Sequence, residues 1–393
     1  MAEKITLLQL QKAVGGSAAA FRSVTRLQPV GGEGDKLFPA TYSEGKYATE
    51  KRRIPGEAEL VDCVLLNSVQ SEANHAELAL KDAVDGGEID IPVIEVDLSK
   101  TAEFRKPLAN LTSLDVPHRL ADAILRDSVL GDGTRFQASV HAKSWSRANL
   151  WNATPVYELC PTALLFGMWG SPDKPGGLGS KFERAYVSEV VAVDITGPKD
   201  RFGFRIDPLE ARNKILLKPS DGGFSISQGK DGVKPSELNH GNILFESTNA
   251  GIRCRYAEQT TVISLGALRK LRFPQEMQND AARDKAGRTV LAALGLCAAV
   301  LASERGTSLR SRCHLWPEAP RQWELLEVPG QAPRVFAISG EEAVALLGEA
   351  VAAAKAVGLG WMEEKLMLTP SPELLDLIQR SQEDSAADSG GGE

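Results

Sequence analysis

The order of strand and helix patterns along the chain predicts an α+β fold built on a ferredoxin-like frame. Segments rich in β-branched residues with alternating polarity recur, and helical patterns stand between them. Without the longer insertions, the order is strand, helix, strand, strand, helix, strand. This is the split βαβ arrangement, which RNA-recognition modules also use.

The first elements are a strand and a long helix separated by a Gly-rich loop. GSAAAFRSVTRLQPV (16–30) predicts a strand that ends at Pro29, and VGGEGDKLFPATY (30–42) predicts the loop. A helix is then predicted from about Gly56 to Leu80. Its second half contains the polar side chains discussed below.

The middle of the chain predicts three strands and one helix. EIDIPVIEVDL (88–98) is typical of a short strand. LDVPHRLADAILRDS (114–128) predicts a helix, with Pro117 where a first turn tolerates proline. TPVYELCPTALLFGMW (154–169) and RAYVSEVVAVDIT (184–196) are both interpreted as strands.

The last part of the chain begins with an insertion and then returns to regular elements. Residues 197 to about 250 are rich in Gly, Pro, Lys and Asp, which indicates a projecting insertion. IRCRYAEQTTVIS (252–264) predicts a strand, and a long helix follows from about Gln278 to Ser303. The remaining predicted elements are strands at 309–316 and 323–328, a helix at 340–358, and a last helix before the tail.

The net charge of −7 does not decide the partner, because the charge is unevenly distributed. The tail from Ser381 carries four acids and no base, and its composition predicts disorder. Residues 199–218 carry six bases against three acids, and residues 253–272 carry five against one. These two segments are the local basic patches that a nucleic acid would need.

Other bulk properties indicate a cytoplasmic protein. The five cysteines form no CxxC or Cys/His cluster, so neither a zinc site nor a disulfide framework is expected. The first residues do not resemble a signal peptide. The longest apolar run, TVLAALGLCAAVLAS (289–303), is too short to span a bilayer and predicts a buried helix.

The stretch NSVQSEANHAEL (67–78) places poor helix formers within the predicted helix. At 3.6 residues per turn, its polar side chains gather on one stripe. The stripe is rich in hydrogen-bond donors and suits ribose and phosphate oxygens. The alternative is a buried polar seam between elements. The stripe residues are Asn67, Gln70, Ser71, Asn74 and Glu77.

A second candidate site is the loop GGLGSKFERAYVSEV (176–190). Gly176, Gly177 and Gly179 allow close backbone approach, and exposed amides in such a loop attract phosphate. Lys181 and Arg184 add two positive charges. The alternative is a plain turn between strands.

No catalytic motif is present. The sequence has no GxSxG, P-loop, HExxH or dinucleotide GxGxxG pattern, and its five histidines have no metal-ligand spacing. In the segment 114–128, Arg119, Asp122 and Arg126 are interpreted as a charged ladder along a helix.

Several long segments, in order, resemble the RNA-binding backbone subunit of type I CRISPR effector (Cascade) complexes, in the variety called subtype I-U or I-G. They extend from about Arg26 to Cys313. One departure concerns the helix motif, where the family usually has Arg after the Asn and this chain has His75. The segments are RLQPVGGEGDKLFPATY, NSVQSEANHAE, PLANLTSLDVPHRLADAILRDS, YELCPTALLFGMWGS, GLGSKFERAYVSEVVAVDI and LAALGLCAAVLASERGTSLRSRC.

The resemblance implies a single ferredoxin-like (RRM-like) palm over residues 1–380, with insertions that are finger-like at about 81–150 and thumb-like at about 197–250. The acidic tail 381–393 would be disordered. Copies would assemble head to tail along the guide RNA (crRNA) and present it to target DNA, beside other effector subunits and a recruited helicase–nuclease. No catalytic activity, cofactor, metal or membrane is expected.

Guide binding must tolerate any sequence, so its contacts are expected at phosphates and 2′-hydroxyls. Two alternatives stay open: an RNA-cleaving backbone subunit that uses a loop aspartate, Asp115 or Asp132, and a protein scaffold without RNA. The predicted RNA-binding residues are Lys36, Asn67, Gln70, Ser71, Asn74, His75, Gly177, Gly179, Lys181, Arg184, Arg201 and Arg205.

Overall fold

The computed structural model describes residues 4–43, 46–170, 179–197, 215–220, 223–238, 251–276 and 278–390. Its helices are α1 Leu7–Gly15, α2 Val69–Asp85, α3 Ala123–Arg126, α4 Val140–Trp145, α5 Thr154–Leu159, α6 Pro161–Leu165, α7 Leu265–Leu268, α8 Ala281–Glu304, α9 Gly340–Ala356 and α10 Pro372–Gly390. Its strands are β1 Ala20–Pro29, β2 Thr49–Arg53, β3 Leu60–Asn67, β4 Ile94–Val96, β5 Leu111–Thr112, β6 Ser128–Val129, β7 Met168–Trp169, β8 Lys181–Phe182, β9 Tyr186–Thr196, β10 Leu217–Ser220, β11 Gly223–Ile226, β12 Arg253–Ser264, β13 Thr307–Arg310, β14 Cys313–Pro317, β15 Trp323–Leu326, β16 Arg334–Phe336 and β17 Leu366–Pro370. The predicted mixture of helices and strands is therefore confirmed.

A large antiparallel sheet forms the centre of the protein. Its strand order is β13-β14-β1-β12-β9-β3-β2, with β15 and β16 attached beside β1. The longest pairings are β1 with β12 and β12 with β9. In this order β12 separates β1 from β9, and β1 separates β12 from β14. A smaller sheet has the order β5-β4-β17-β6, in which β4 and β17 run parallel.

Helices α2 and α8 join these strands and cover one face of the central sheet. The chain passes from β1 to β9 through α2 and from β12 to β14 through α8. Helix α8 packs against α1, α2 and α9. A Cβ on Gly295 would lie 3.1 Å from the Ile263 side chain of β12, so the absence of a side chain there lets α8 approach the sheet closely.

Helix α8 contains the longest apolar run of the sequence. Among the described residues it alone is long and apolar enough to cross a membrane by length and composition. However, 78% of its most apolar window is buried inside the protein, as in the core helix of a globular domain. The prediction of a buried helix is confirmed.

The predicted helix from Gly56 to Leu80 is wrong in its first half. Residues Leu60–Asn67 form strand β3, which pairs with β2 and β9. The segment LVDCVLLN is a short apolar run, which suits a buried strand as well as a helix. The helix begins only at Val69, after Ser68 accepts a hydrogen bond from the backbone N–H of Ser71.

Two other segments also differ from prediction. The segment 114–128 forms a 3₁₀ turn at Arg119–Ala121 and then the short α3, because the positive φ of Arg119 (52°) interrupts a continuous helix. The predicted strand 154–169 forms α5 and α6, each with a proline in its first turn, and only Met168–Trp169 is a strand.

Most other predicted strands and helices are confirmed, with ends that shift by a few residues, including β1, β4, β9, β12, β15, α8 and α9. The strand predicted at 309–316 is instead two paired strands, β13 and β14, with a turn at Ser311 and Arg312. The last helix extends to Gly390, into the segment for which the composition predicts disorder. Most of the insertion 197–250 lies outside the described residues, and the boundaries of the finger-like and thumb-like regions stay predictions.

Candidate nucleic-acid interface

The predicted polar stripe lies on two elements, with Asn67 at the end of β3 and the other residues on α2. Asn67 is the last residue of the strand and is buried, with 2% of its surface exposed. Gln70 and Asn74 are exposed on the first turns of the helix, and Ser71 and His75 are half-buried. The structure therefore keeps only Gln70 and Asn74 fully available to a partner.

Asn67 belongs to a buried network that we name the polar belt: Asn67, Glu72, Ser188, Gln259 and Thr261. The Glu72 carboxylate accepts hydrogen bonds from Asn67 Nδ2 (2.5 Å), Gln259 Nε2 (2.6 Å) and Ser188 Oγ (2.7 Å). The Ser188 and Thr261 hydroxyls are 3.0 Å apart. Three donors offset much of the cost of burying this carboxylate, and the belt fixes α2 to β9 and β12.

This network matches the alternative that the sequence left open for the stripe, a buried polar seam. Asn67 uses its amide inside the fold and is therefore not part of an exposed interface. Ser188 and Gln259 were not predicted as members of any site. Their alternation with apolar neighbours in strands is the only signal in the sequence, and it does not indicate which residue they contact.

His75 lies beside a cleft between α2, the end of α8 and β13. Its Nδ1 is 3.4 Å from Asn67 Nδ2. The cleft has a volume of about 230 Å³, and an ion pair between Asp82 and Arg305 lies at its edge. His75 thus faces a partly polar space with hydroxyl groups from Thr307 and Ser308.

A second buried group connects α2 to the chain that follows it. Glu77 accepts two hydrogen bonds from Arg119, from Nε at 2.6 Å and from Nη2 at 2.7 Å. Arg119 Nη1 also donates to the carbonyl of Gly167 at 3.0 Å, and its guanidinium lies 5.3 Å from the Phe166 ring centre. Burial raises the pKa of Glu77 to about 7, although Arg119 opposes the shift.

The interpretation of a charged ladder in this segment is wrong. Arg119 pairs with Glu77 rather than with Asp122, which instead caps α3 through the backbone N–H of Ile124. Arg126 pairs with Asp127. The sequence contains no signal for the contact between Arg119 and Glu77, since the two residues are 42 positions apart.

The described part of the predicted phosphate loop begins at Gly179 and includes β8, which pairs with β7 in a short hairpin. Lys181 and Arg184 are both exposed, and among the described residues neither forms an ion pair. The Lys181 Nζ lies 5.1 Å from the ring centre of Trp169, and Arg184 Nε donates to the Phe166 carbonyl at 3.2 Å. Arg119 and Arg184 thus contact consecutive residues, so the hairpin is joined to α2.

The remaining predicted residues lie elsewhere or outside the described chain. Gly179 is exposed next to the hairpin. Gly177, Arg201 and Arg205 lie outside the described residues. Lys36 is beside Leu37, which pairs with Ile252 at the start of β12, whereas Ala185 pairs with Ser264 at its end. A 12-residue strand separates the two ends by roughly 36 Å, so Lys36 and Arg184 are far apart.

The two aspartates considered for RNA cleavage are both hydrogen-bonded within turns. Asp115 accepts from the backbone N–H and the hydroxyl of Thr112. Asp132 accepts from the backbone N–H of Thr134, which lowers the pKa of Asp132. Within the described parts of the chain, no group of three or more His, Cys, Asp or Glu residues could hold a metal ion.

Comparison with known proteins places the chain in a biological context. Residues 21–197 match the model of a family described as CRISPR-associated protein GSU0053. No curated protein matches the chain. The matched range extends from β1 to the end of β9 and includes α2, Arg119 and the β7–β8 hairpin. The chain is therefore similar to a CRISPR-associated family over slightly less than half of its length.

Proposed function

We propose that this chain is the guide-RNA-binding backbone subunit of a CRISPR effector complex. Copies would assemble along crRNA and present it for pairing with target DNA, as in type I complexes of subtype I-U or I-G. Other effector subunits and a recruited helicase–nuclease would be its partners, and the subunit itself would cut no nucleic acid. The family match over residues 21–197 supports the CRISPR context.

The strand order of the central sheet carries the RNA-binding part of the proposal. β1, α2, β9, β12, α8 and β14 follow one another in the chain, and the sheet order is β14-β1-β12-β9. β1 and β9, on either side of α2 in the chain, thus have β12 between them in the sheet. β12 and β14, on either side of α8, have β1 between them. This order matches that of the split βαβ arrangement, which RNA-recognition modules use, and it supports a ferredoxin-like palm.

The exposed polar and basic side chains support contacts to the RNA backbone. Gln70 and Asn74 offer amide groups, and Lys181 and Arg184 offer positive charges. Such groups suit phosphates and 2′-hydroxyls and do not require a given base. Because many copies would act together, each needs only a modest affinity.

The direct test replaces Lys181 and Arg184 together by Ala and measures binding to guide RNA at several salt concentrations. Affinity should fall for all guide sequences alike, because phosphates do not differ between them. The slope of log K against log salt should decrease by about one unit per lost phosphate contact. A matched control replaces Arg135 and Arg380, two exposed arginines elsewhere on the surface.

The control removes the same net charge and should change the slope little. Equal losses in both variants, or losses that depend on the guide sequence with an unchanged slope, would contradict the phosphate role. Nucleic acid that copurifies with the unaltered chain separates RNA binding from a scaffold without RNA. Incubating the chain with RNA and Mg²⁺ or Mn²⁺ tests the absence of catalysis.

A further inference from the structure

Two tryptophans near the β7–β8 hairpin are unusually exposed. Trp151 has 75% and Trp169 has 70% of its surface exposed to solvent. Large aromatic side chains are mostly buried in folded proteins, since exposing them forfeits the hydrophobic gain. Neither residue is among the predicted RNA-binding residues or the proposed phosphate contacts.

Trp151 is held at the tip of a tight turn. Asn149 and Asn152 exchange backbone hydrogen bonds of 3.2 and 3.0 Å, and the Trp151 N–H donates to Asn149 Oδ1 at 2.9 Å. The Leu150 carbonyl accepts from the N–H of Arg272, which secures the turn to the segment after α7. The turn therefore holds Trp151 in its exposed position.

Trp169 is anchored to the same part of the protein. Ser180, opposite Gly170 in the hairpin, donates its hydroxyl to the carbonyls of Trp145 and Ala148 at 2.7 and 2.8 Å. A Cβ on Gly170 would come within 3.0 Å of the Trp145 ring, so the hairpin packs closely on this segment. The chain runs directly from Ala148 into the turn of Trp151, which places both tryptophans on one supported region.

Four basic residues lie on the same segments of the chain as the two tryptophans. Lys143, Arg147, Lys181 and Arg184 are exposed, and in the part of the chain that the structure describes none of them forms an ion pair. The adjacent acid, Glu183, is paired with Lys270 at 2.6 Å. Lys181 lies over Trp169, an arrangement that a cation and an aromatic ring favour. This surplus of cations favours a polyanionic partner over an apolar protein surface.

We infer that Trp151 and Trp169 stack on bases of a single-stranded nucleic acid whose phosphates meet Lys143, Arg147, Lys181 and Arg184. We name these six residues the tryptophan surface. The inference rests on the proposed RNA-binding function and adds base stacking to its phosphate contacts. Stacking tolerates any sequence because every base has a π-face, as a guide-binding protein requires.

The test uses the full chain and fluorescently labelled oligonucleotides: single-stranded RNA, DNA of the same sequence, and an RNA of the same length with abasic sites. Trp151→Ala with Trp169→Ala should weaken binding to the RNA about tenfold or more. Comparing the affinities for the RNA and for the DNA of the same sequence shows which nucleic acid the tryptophan surface prefers. The matched control is Trp316→Ala, which removes a tryptophan that is 58% exposed on β14 and should change affinity less than about twofold.

Two further readouts separate stacking from a structural role. The unaltered chain should bind the abasic RNA about as weakly as the double variant binds the normal RNA. Trp151→Phe with Trp169→Phe should recover much of the affinity, because phenylalanine also stacks. Unfolding midpoints of all variants check that each is folded.

The outcomes distinguish this inference from the proposed function. If the chain binds RNA and the double Ala variant binds it equally well, the inference that the tryptophans stack on bases is wrong. The proposed phosphate contacts then remain. If the chain binds only DNA, with dependence on the tryptophans, the surface stands and the guide-RNA role falls. Binding to neither refutes both. Loss of self-association without nucleic acid, at unchanged RNA affinity, would identify an interface between copies and overturn the inference.

Discussion

The polar belt and the β7–β8 hairpin make opposite use of polar side chains that the sequence had assigned to the same partner. In the belt, Asn67 is buried and bonded to a carboxylate. On the hairpin, Lys181 and Arg184 are exposed and have no acidic partner among the described residues. A polar side chain is therefore available for binding only when its hydrogen-bonding groups are exposed and not already paired within the fold.

The largest expected effect on stability comes from the buried ion pair between Glu77 and Arg119, which tests this distinction. Arg119→Ala would leave the Glu77 carboxylate buried without its cation. We expect the free energy of unfolding to fall by about 3–5 kcal/mol, measured by urea denaturation. Arg126→Ala, which removes an exposed pair with Asp127, should change it by less than about 0.5 kcal/mol. Similar effects from both would mean that Arg119 is not an internal anchor.

The pH dependence of stability gives a second test of the same group. Burial raises the pKa of Glu77 to about 7, above its ordinary value of 4.5. The folded state therefore binds this proton more tightly than the unfolded chain, and stability falls as the pH rises from about 4.5 to about 7. Between pH 5.5 and 7.5 the unaltered chain should lose about 2 kcal/mol more than Glu77→Gln. Parallel pH profiles would show that Glu77 does not titrate in this range.

The smallest expected effect separates the two ends of the polar stripe. Asn67→Ala removes a hydrogen bond to the Glu72 carboxylate and should cost about 1.5 kcal/mol of stability, with unchanged RNA affinity per folded molecule. Asn74→Ala, on the exposed face of α2, should leave stability within about 0.5 kcal/mol and weaken guide binding. The reverse pattern would place Asn67 at the interface and remove the distinction between belt and surface.

The sequence predicted most of the regular elements, because their signals are local. The alternation of polar and apolar residues identified β9 and β12, and the length of the apolar run identified α8. The error at Leu60–Asn67 arose because a short apolar run suits a strand as well as a buried helix. At 154–169, prolines in the first turns of α5 and α6 were not weighed as helix starts.

The candidate site was predicted less completely, since its contacts join distant residues. Lys181 and Arg184 were selected because charge next to glycine is visible in one segment, and their role stays a prediction. Arg119 was assigned to local partners, although its carboxylate partner lies 42 residues earlier. Trp151 and Trp169 were not selected, because exposure depends on how a turn and a hairpin are secured, and no sequence pattern reports that.

The central position of β1 has a consequence for synthesis of the protein. This strand leaves the ribosome before its neighbours β12, β14 and β15, which follow more than two hundred residues later. Until β12 (Arg253–Ser264) has been translated, neither edge of β1 has its partner, and the other edge waits for β14 and β15. The sheet can close only after these later strands have been made, and a chain that terminates before them would expose unpaired strands that favour aggregation.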